Sequence, residues 1–192
     1  MTMHFMADGL VVRALPDKGG KGVFATRPFA RGDLLVVYGG VILTGDELKA
    51  LLAEERFYSM QVEDDLHLVT PLDQVTGADF VNHSCEPNAG LRDAISLVAL
   101  RAIQTGEEIC FDYAMSDSNV YLHFACQCGK PKCREFVRPD DWRCADLQRR
   151  YRSAFSPYLR RRQVAETSAR GLAQTPHQRG AEPHENRGTL LD

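Results

Sequence analysis

The sequence predicts a mainly β fold of the α+β class, followed by a compact cysteine-rich module. Short runs of apolar and β-branched residues recur through the first 115 or so residues, with glycine and aspartate between them. A single stretch in this region has apolar residues at helical spacing. Three cysteines, Cys126, Cys128 and Cys133, then fall within eight residues. Many short strands with one helix are typical of an α+β or mainly β domain.

The predicted strands are short and are distributed over the region before the cysteines. In chain order they cover residues 10–13, 22–25, 34–38, 41–43, 58–62, 66–69, 94–100 and 109–113. The one predicted helix begins at Thr44, which forms a capping-box pair with Glu47, and three leucines follow at helical spacing. We expect this helix to end near Arg56.

The C-terminal part divides into a basic segment and a polar tail. Residues 139–162 combine arginines with spaced apolar residues, which predicts an amphipathic helix with a break at Ser156-Pro157. Residues 163–192 have few large apolar side chains, so they cannot bury enough surface to fold and are predicted to be disordered. The arginines over 149–162 would either contact DNA weakly or form a solvated face, and the second interpretation is favoured.

The bulk properties bound the class of protein. With 192 residues and a 44% hydrophobic composition, the chain can form one domain plus extensions. A net charge of -3 argues against a large electrostatic footprint for nucleic acid. No apolar run approaches the roughly 18 residues of a membrane span, and the N-terminus lacks the features of a signal peptide. These properties favour a soluble protein in a reducing compartment, where clustered cysteines more often bind metal than form disulfides.

The densest polar run is NHSCEPN, residues 82–88, which follows the apolar pair Phe80-Val81. Asparagine, serine and proline favour a turn or loop over a core strand. Polar side chains gathered on a loop are typical of binding and catalytic sites. The run therefore marks a candidate functional site.

The three clustered cysteines, in the run CQCGKPKC, suit a tetrahedral site for a soft metal, and zinc is the favoured ion. The cluster has no fourth ligand of its own. The candidates for that ligand are Cys85 and Cys144, with Cys110 and His123 less favoured. The alternative is a group of free or redox-active thiols, which is the less common use of such clusters in reducing compartments.

Four segments, in this order along the chain, resemble the SET-domain protein lysine methyltransferases that carry a post-SET zinc motif. The segments are GKGVFA at 20–25, FVNHSCEPN at 80–88, GEEICFDY at 106–113 and CQCGKPKCREFV at 126–137. The second segment is long and specific, whereas a lone GKG would be weak evidence. The resemblance covers about residues 9–137.

The resemblance implies a SET-domain fold of small β-sheets with a pseudoknot over residues 9–115. It implies a short variable insert at 44–77 and a zinc-binding post-SET module at 122–138, with Cys85 as the fourth thiolate ligand of the zinc. It also implies S-adenosylmethionine as the methyl donor. The methyl acceptor would be an exposed lysine of a protein, such as a histone-like tail.

The resemblance assigns roles in cofactor binding and catalysis residue by residue. Tyr113 would be the catalytic residue at the methyl-transfer point and would also contact the cofactor. Asn82 and His83 would bind the cofactor. Gly22 and the backbone of Lys21 would allow the chain to approach it closely, since glycine has no Cβ.

Two aromatic residues are expected at the substrate channel. Tyr58 would contact both the cofactor and the substrate lysine, and Phe111 would line the lysine channel, although both residues also suit a packed core. Because Phe111 lacks a hydroxyl, the resemblance implies di- or trimethyl-lysine as the product. Asp79 stands where many members of the family have arginine, which would change the electrostatics near the site.

The rival interpretation is a catalytically inactive, SET-like, zinc-stabilised module that binds a peptide or nucleic acid. Intact Asn82, His83 and Tyr113 argue against it. The expected location is the nucleus if the source is eukaryotic, and the cytoplasm or an exported effector if it is bacterial. The sequence leaves the oligomeric state open.

Overall fold

The computed structural model describes residues 4–16, 20–51 and 57–173. The strands in these ranges are β1 (Phe5–Met6), β2 (Leu10–Ala14), β3 (Lys21–Ala25), β4 (Leu34–Val37), β5 (Val41–Thr44), β6 (Phe57–Glu63), β7 (Leu66–Pro71), β8 (Asn82–His83), β9 (Ala89–Leu91), β10 (Ser96–Ala99), β11 (Glu108–Phe111), β12 (Phe124–Ala125) and β13 (Phe136–Val137). The helices are α1 (Gly45–Leu51), α2 (Ala145–Tyr151) and α3 (Pro157–Ala173). The predicted mainly β class is confirmed.

The strands form small sheets with the orders β1-β4-β10-β9, β2-β3-β11-β8, β5-β7-β6 and β12-β13. Among the described strands, only the pairing of β8 with β11 is parallel. It sets Asn82 opposite Cys110 and His83 opposite Phe111. The NHSC run therefore lies beside the start of the FDY run, although about 30 residues separate them in sequence.

The NHSCEPN loop is fixed to β11 by one buried amide side chain. Asn88 Nδ2 donates to the carbonyl of Glu108 at 2.8 Å, and Asn88 Oδ1 accepts the N–H of Cys110 at 2.9 Å. A single side chain thus satisfies one acceptor and one donor of the β11 backbone. The predicted knot-like threading brings these same two segments together.

One hydrophobic core joins the two four-stranded sheets to the C-terminal segment. Its sheet residues include Val23, Leu35, Leu97 and Ile109, each with no exposed surface. Each such side chain contributes roughly 1.5–3 kcal/mol by burial. This buried core therefore holds β8 and β11, the strands that carry the polar motifs, in fixed positions.

The insert between β5 and the second motif is a three-stranded sheet that carries α1. The predicted capping box is present, because Thr44 N–H donates to Glu47 Oε2 at 2.8 Å and Glu47 N–H donates to Thr44 Oγ1 at 3.3 Å. The predicted end of this helix near Arg56 lies outside the described residues.

The C-terminal segment belongs to the core. The predicted helix of residues 139–162 is divided into short turns, α2 and α3, and the predicted break is present, with Pro157 as the first residue of α3. Its apolar residues are buried against the sheets, namely Trp142, Leu147, Tyr151, Phe155, Tyr158 and Leu159. None of the described helices combines the length and apolar character needed to cross a membrane.

The prediction that disorder begins at residue 163 is wrong for 163–173, which continue α3. The helix continues because its polar side chains find partners that composition does not reveal. Gln163 Nε2 donates to the carbonyl of Trp142 at 3.2 Å, and Arg143 pairs with Glu166 at 2.8 Å. The remaining predicted tail, 174–192, lies outside the described residues.

Candidate active site and metal centre

Tyr113 leaves the sheet immediately after β11. The predicted strand 109–113 ends at Phe111, because Asp112 accepts the N–H of Ala114 at 3.1 Å and caps a short 3-10 turn. The turn directs the Tyr113 hydroxyl back toward β8, where it donates to the carbonyl of Val81 at 3.1 Å. Burial raises the pKa of the Tyr113 phenol, so the hydroxyl keeps its proton.

Tyr113 lines two pockets at once. The first pocket, of about 130 Å³, has walls formed by Tyr38, Tyr58, Leu68, Asp79, Val81, Phe111, Tyr113 and Asp117, among others. The second pocket, of about 240 Å³, is lined by Leu15, Asn82, His83, Tyr113, Phe124, Ala125, Cys126, Gln127 and Cys128. The phenol ring therefore lies where the two pockets adjoin.

The first pocket is largely aromatic. The rings of Phe111 and Tyr113 have centroids 5.0 Å apart, and Tyr38 lies 6.4 Å from Phe111. Tyr58 is 42% exposed and stands at the pocket mouth. Both predicted channel residues, Tyr58 and Phe111, therefore line the same pocket, together with Tyr38.

The predicted cofactor residues divide between the two pockets. Asn82, His83 and Tyr113 line the second pocket, and Tyr58 lines the first. Asn82 Nδ2 donates to the carbonyl of Lys21 at 2.9 Å, which ties β8 to the start of β3.

Gly22 lies behind Asn82 and allows this close approach. A Cβ at Gly22 would lie 2.7 Å from Glu108 Oε1 and 3.1 Å from Asn82 Nδ2, closer than ordinary contacts. Asn82 Nδ2 also donates to Glu108 Oε1 at 2.8 Å. A Cβ at this position would displace the ends of the Glu108 and Asn82 side chains and disturb the bond between them.

His83 connects the second pocket to the cysteines. Tyr113 N–H donates to His83 Nδ1 at 3.3 Å, so Nε2 carries the ring hydrogen and points at Cys85 Sγ, 3.3 Å away. The imidazole also makes edge contacts with Tyr113 and Phe124 at centroid distances of 5.3 and 5.6 Å. Burial lowers the pKa of His83 to about 4, so the ring is neutral.

Four cysteine sulfurs form one compact cluster. The sulfurs of Cys85, Cys126, Cys128 and Cys133 all lie within 4.8 Å of one another. The Sγ atoms of Cys85 and Cys126 are 3.8 Å apart, which matches the edge of about 3.8 Å of a tetrahedron with Zn–S bonds near 2.3 Å. The donor set and its spacing therefore fit a zinc ion.

The cysteine set leaves out the other candidate ligands. Cys144 is exposed, and neither it nor Cys110 or His123 belongs to the cluster found among the described residues. Two backbone N–H groups donate to cluster sulfurs at 3.4 Å, from Arg134 to Cys85 and from Glu135 to Cys133. Such contacts stabilise thiolate charge.

Asp112 connects the site to the C-terminal elements, a role that the sequence motifs did not indicate. Arg134 grips this fully buried carboxylate with two hydrogen bonds of 2.5 and 2.8 Å, and Tyr151 of α2 donates to it at 2.8 Å. Arg134 also bonds Asp141 at 2.9 Å. Asp112 belongs to the FDY run and Arg134 follows Cys133, so both residues lie in recognisable motifs. The sequence alone does not indicate that they form a pair.

Asp79 has a structural role that accounts for its carboxylate. It accepts the N–H of Thr76 at 2.8 Å, completing a capping box, and lies 3.7 Å from His4 Nε2. Its side chain also reaches the wall of the first pocket. The unusual acid at this position thus caps a turn beside the pocket.

Comparison with known proteins gives one family. Residues 20–114 match the family model described as SET domain. Histone-lysine N-methyltransferase ash1 of Drosophila melanogaster is 35% identical over 150 residues, covering 70% of this chain and 6% of that protein. Histone-lysine N-methyltransferase 2B of Homo sapiens is 31% identical over 134 residues, covering 62% of this chain and 5% of that protein.

A third relative is Histone-lysine N-methyltransferase Su(var)3-9 of Drosophila melanogaster, 26% identical over 165 residues, which cover 71% of this chain and 26% of that protein. The chain therefore spans only 5% to 26% of the length of these three relatives.

The family match extends from the residue before β3 to the turn that holds Tyr113. Three cysteines beyond it, Cys126, Cys128 and Cys133, cluster with Cys85, and this cluster is consistent with a post-SET zinc motif. The small sheets, the ordered motifs and the match to the family model agree, and the chain belongs to the SET-domain proteins.

Proposed function

We propose that this protein transfers a methyl group from S-adenosylmethionine to a lysine amine of a protein substrate. The observation that carries the proposal is the position of Tyr113, which lines an aromatic pocket on one side and the pocket of Asn82 and His83 on the other. A methyl transfer needs two reactants that meet end to end, and adjoining pockets allow that alignment.

Histone tails are the proposed substrate class, and the nucleus is the proposed location. The support is the similarity to proteins named histone-lysine N-methyltransferases. Histone tails also present exposed lysines in extended, basic segments that a surface pocket can reach. Because the chain spans a small part of each relative, the substrate is proposed for this chain on the shared region alone.

The first pocket would favour the neutral form of the substrate amine. A free lysine has a pKa near 10.4, so deprotonation at neutral pH costs roughly 4–5 kcal/mol. Apolar and aromatic walls, including Tyr58, Phe111 and Leu68, disfavour the ammonium by desolvation and lower that cost. The hydroxyl of Tyr113 donates to Val81, which leaves its oxygen able to accept a hydrogen bond from the amine.

The second pocket would hold the methyl donor. S-adenosylmethionine, when bound, supplies a methyl group on a positively charged sulfur. Asn82 and His83 would orient it, with Gly22 and the backbone of Lys21 behind them. A zinc ion held by the four cysteines would fix the wall that contains Phe124 and Cys126 against His83.

A labelled-methyl assay with core histones tests the proposal. We expect incorporation by the wild-type chain and a loss of about 100-fold or more in Tyr113→Phe, in the range seen when one transition-state contact is removed. Tyr121→Phe, at an exposed tyrosine, is the matched control and should retain full activity. Absence of transfer by the wild-type chain to histones and to cell-extract proteins would support the inactive binding module instead.

The number of methyl groups added is a separate part of the proposal. Phe111 is buried in the first pocket and has no hydroxyl with which to hold a water in the space that added methyl groups would occupy. We expect di- or trimethyl-lysine from the wild-type chain and mainly monomethyl-lysine from Phe111→Tyr. Mass spectrometry of the methylated peptide distinguishes these products, and a wild-type chain that stops at monomethyl-lysine would contradict the expectation.

A further inference from the structure

The largely aromatic first pocket is lined by a second carboxylate besides that of Asp79, namely Asp117. Asp117 follows Tyr113 by one helical turn, and its N–H donates to the Tyr113 carbonyl at 3.0 Å. Its side chain lines the same pocket as Tyr58, Phe111 and Tyr113. None of the motifs in the sequence includes this residue.

Two hydrogen bonds hold the Asp117 carboxylate in place. Gln61 N–H donates to Oδ1 at 3.0 Å, and the Ser116 hydroxyl donates to Oδ2 at 2.5 Å. Gln61 is itself fixed, because its Oε1 accepts the N–H of Ser118 at 2.9 Å. The backbone of β6 and the neighbouring Ser116 therefore fix the orientation of the carboxylate.

No ion pair between residues of the described ranges includes the Asp117 carboxylate. Desolvation raises the pKa of its carboxyl to about 6. A carboxylate removed from water without a partner is unfavourable, so such groups are usually found where a cation binds.

The charged and titratable groups around Asp117 come from the pocket walls and from α3. They are Tyr38, Tyr58, Asp79 and Tyr113 in the pocket, and Tyr158 and Arg162 on α3. The pKa values of Tyr38, Tyr113 and Tyr158 are raised by burial, so these phenols stay neutral. Arg162 bonds Ser118 and Asp64, and Asp79 caps its own turn.

We infer that Asp117 binds the ammonium group of the substrate lysine and accepts its proton before methyl transfer. This rests on the proposed function, since it takes the first pocket as the lysine channel. It adds a catalytic residue to that channel and makes the pocket selective for a cationic side chain over an apolar one of the same length.

The proposed step balances within the pocket. A proton passes from the lysine ammonium to a carboxylate oxygen of Asp117, and the nitrogen keeps the electron pair of the N–H bond. Both groups become neutral, which desolvation favours for each of them. The amine pair then forms the N–C bond as the C–S bond of the donor breaks, and Asp117 returns its proton to solvent before the next cycle.

Binding of a lysine side-chain analogue tests the ammonium site without methyl transfer. Backbone NMR of the full chain is followed while n-butylammonium chloride or n-pentanol is added, in the wild type, Asp117→Asn and Glu63→Gln. We expect butylammonium to bind the Asp117→Asn chain about 10-fold or more weakly, as for loss of a charged hydrogen bond, with pentanol little changed. Glu63→Gln removes one exposed charge from β6, the strand whose Gln61 bonds Asp117, and should bind as the wild type does.

The dependence of the methyl-transfer rate on pH tests whether Asp117 accepts the proton. The wild-type rate should level off above about pH 7, whereas the Asp117→Asn rate should keep rising toward pH 9, because only solvent then removes the proton. Equal butylammonium affinity in wild type and Asp117→Asn, or no saturable binding in the wild type, overturns the inference. Asp117-dependent binding in a chain that transfers no methyl group upholds the ammonium site and overturns the proposed function alone.

Discussion

At the scale of single residues, Asp117 carries an unfavourable contribution to folding. Its carboxyl has a pKa of about 6 in the fold, above the usual value near 3.9. The native state therefore binds the proton more tightly than the unfolded chain. Stability is greatest below about pH 4 on account of this group and falls as pH rises toward and above 6.

Asp117→Asn should therefore stabilise the protein at pH 8 by about 1–3 kcal/mol, with a much smaller gain at pH 4.5. Asparagine keeps an acceptor for Gln61 N–H and can donate to the Ser116 hydroxyl. Urea denaturation at the two pH values measures the change. Equal effects of Asp117→Asn at both pH values would contradict the prediction.

Glu63→Gln is the control of opposite sign. The pKa of Glu63 is lowered chiefly by its hydrogen bonds with Arg161, so the carboxylate favours folding above its unfolded pKa and that contribution is lost as pH falls. Its substitution should not stabilise the chain at pH 8. If Asp117→Asn is more stable but transfers methyl groups poorly, and Glu63→Gln shows neither effect, then Asp117 lowers stability in favour of function. Such a trade-off is typical of functional sites.

Cys85 links the proposed metal centre to the pocket of His83. Its sulfur belongs to the four-cysteine cluster and receives the Nε2 hydrogen of His83. Cys85→Ser should lose bound zinc and at least about 10-fold in methyl transfer together, since removing a ligand weakens both the metal and what it orders. Metal analysis beside the labelled-methyl assay measures both.

The comparison for Cys85→Ser is Cys144→Ser, at an exposed cysteine outside the cluster. It should keep zinc stoichiometry and activity. Full zinc content and full activity in Cys85→Ser would show that the two halves of the NHSC run are independent.

At the scale of elements, α3 anchors the wall of the first pocket. Tyr158 donates to the carbonyl of Ser116 at 2.6 Å, Ser156 N–H donates to that of Met115 at 2.8 Å, and Arg162 bonds Ser118 at 2.8 Å. These contacts hold the turn that carries Asp117. The helix therefore supports the geometry of the site from behind.

Leu159→Ala should cost about 2–5 kcal/mol, because this side chain is fully buried and its removal leaves a cavity. Val164→Ala, at a residue that is 67% exposed on the same helix, should change stability by less than about 0.5 kcal/mol. Thermal or urea unfolding compares the two. Similar small effects would mean that α3 is only loosely attached.

The strands were predictable from sequence because glycine and aspartate mark their ends locally. The place of α3 was not, because its partners are distant in sequence. Arg161 pairs with Glu63, 98 residues earlier, and nothing near Arg161 indicates that acid. Tyr113 was assigned to a strand for the same reason, since the turn depends on an Asp112 carboxylate held by Arg134 and Tyr151.

At the scale of the whole molecule, some site residues can be identified from the sequence around them, whereas others are identified only by contacts with distant parts of the fold. Spacing alone left Cys85 and Cys144 both open as the fourth ligand. In the fold, the sulfur of Cys85 joins the cluster, whereas Cys144 is exposed and lies outside it. Asp117 gave no sequence signal, because its role arises from a pocket whose other walls come from β6, β7 and β11.

Contact with DNA through residues 149–162 stays a proposal. The ion pairs of these arginines lead us to expect that any such binding is weak. Arg149 and Arg150 pair with Asp146, while Arg161 and Arg162 pair with Glu63 and Asp64. Four of the six arginines over 149–162 thus have acidic partners, in a chain of net charge -3.

We expect the full chain to bind a short duplex with a Kd weaker than about 10⁻⁵ M at physiological salt, and to show a shallow salt dependence. Fluorescence anisotropy over a salt series measures both quantities. Tight binding with a steep slope, lost on replacing Arg149, Arg161 and Arg162 by alanine, would show that the guanidinium groups leave their acidic partners for phosphate.

The contacts of Asp112 with Arg134 and Tyr151 have a consequence for folding during synthesis. Asp112 directly follows β11, but its partners Arg134 and Tyr151, and Leu159 of α3, are made later. At roughly 5–20 residues per second, the ribosome needs about 2–10 s to add these residues. Through that interval the nascent domain has a buried acid without its cation, so we expect it to complete folding only after α3 emerges and to be open to chaperones until then.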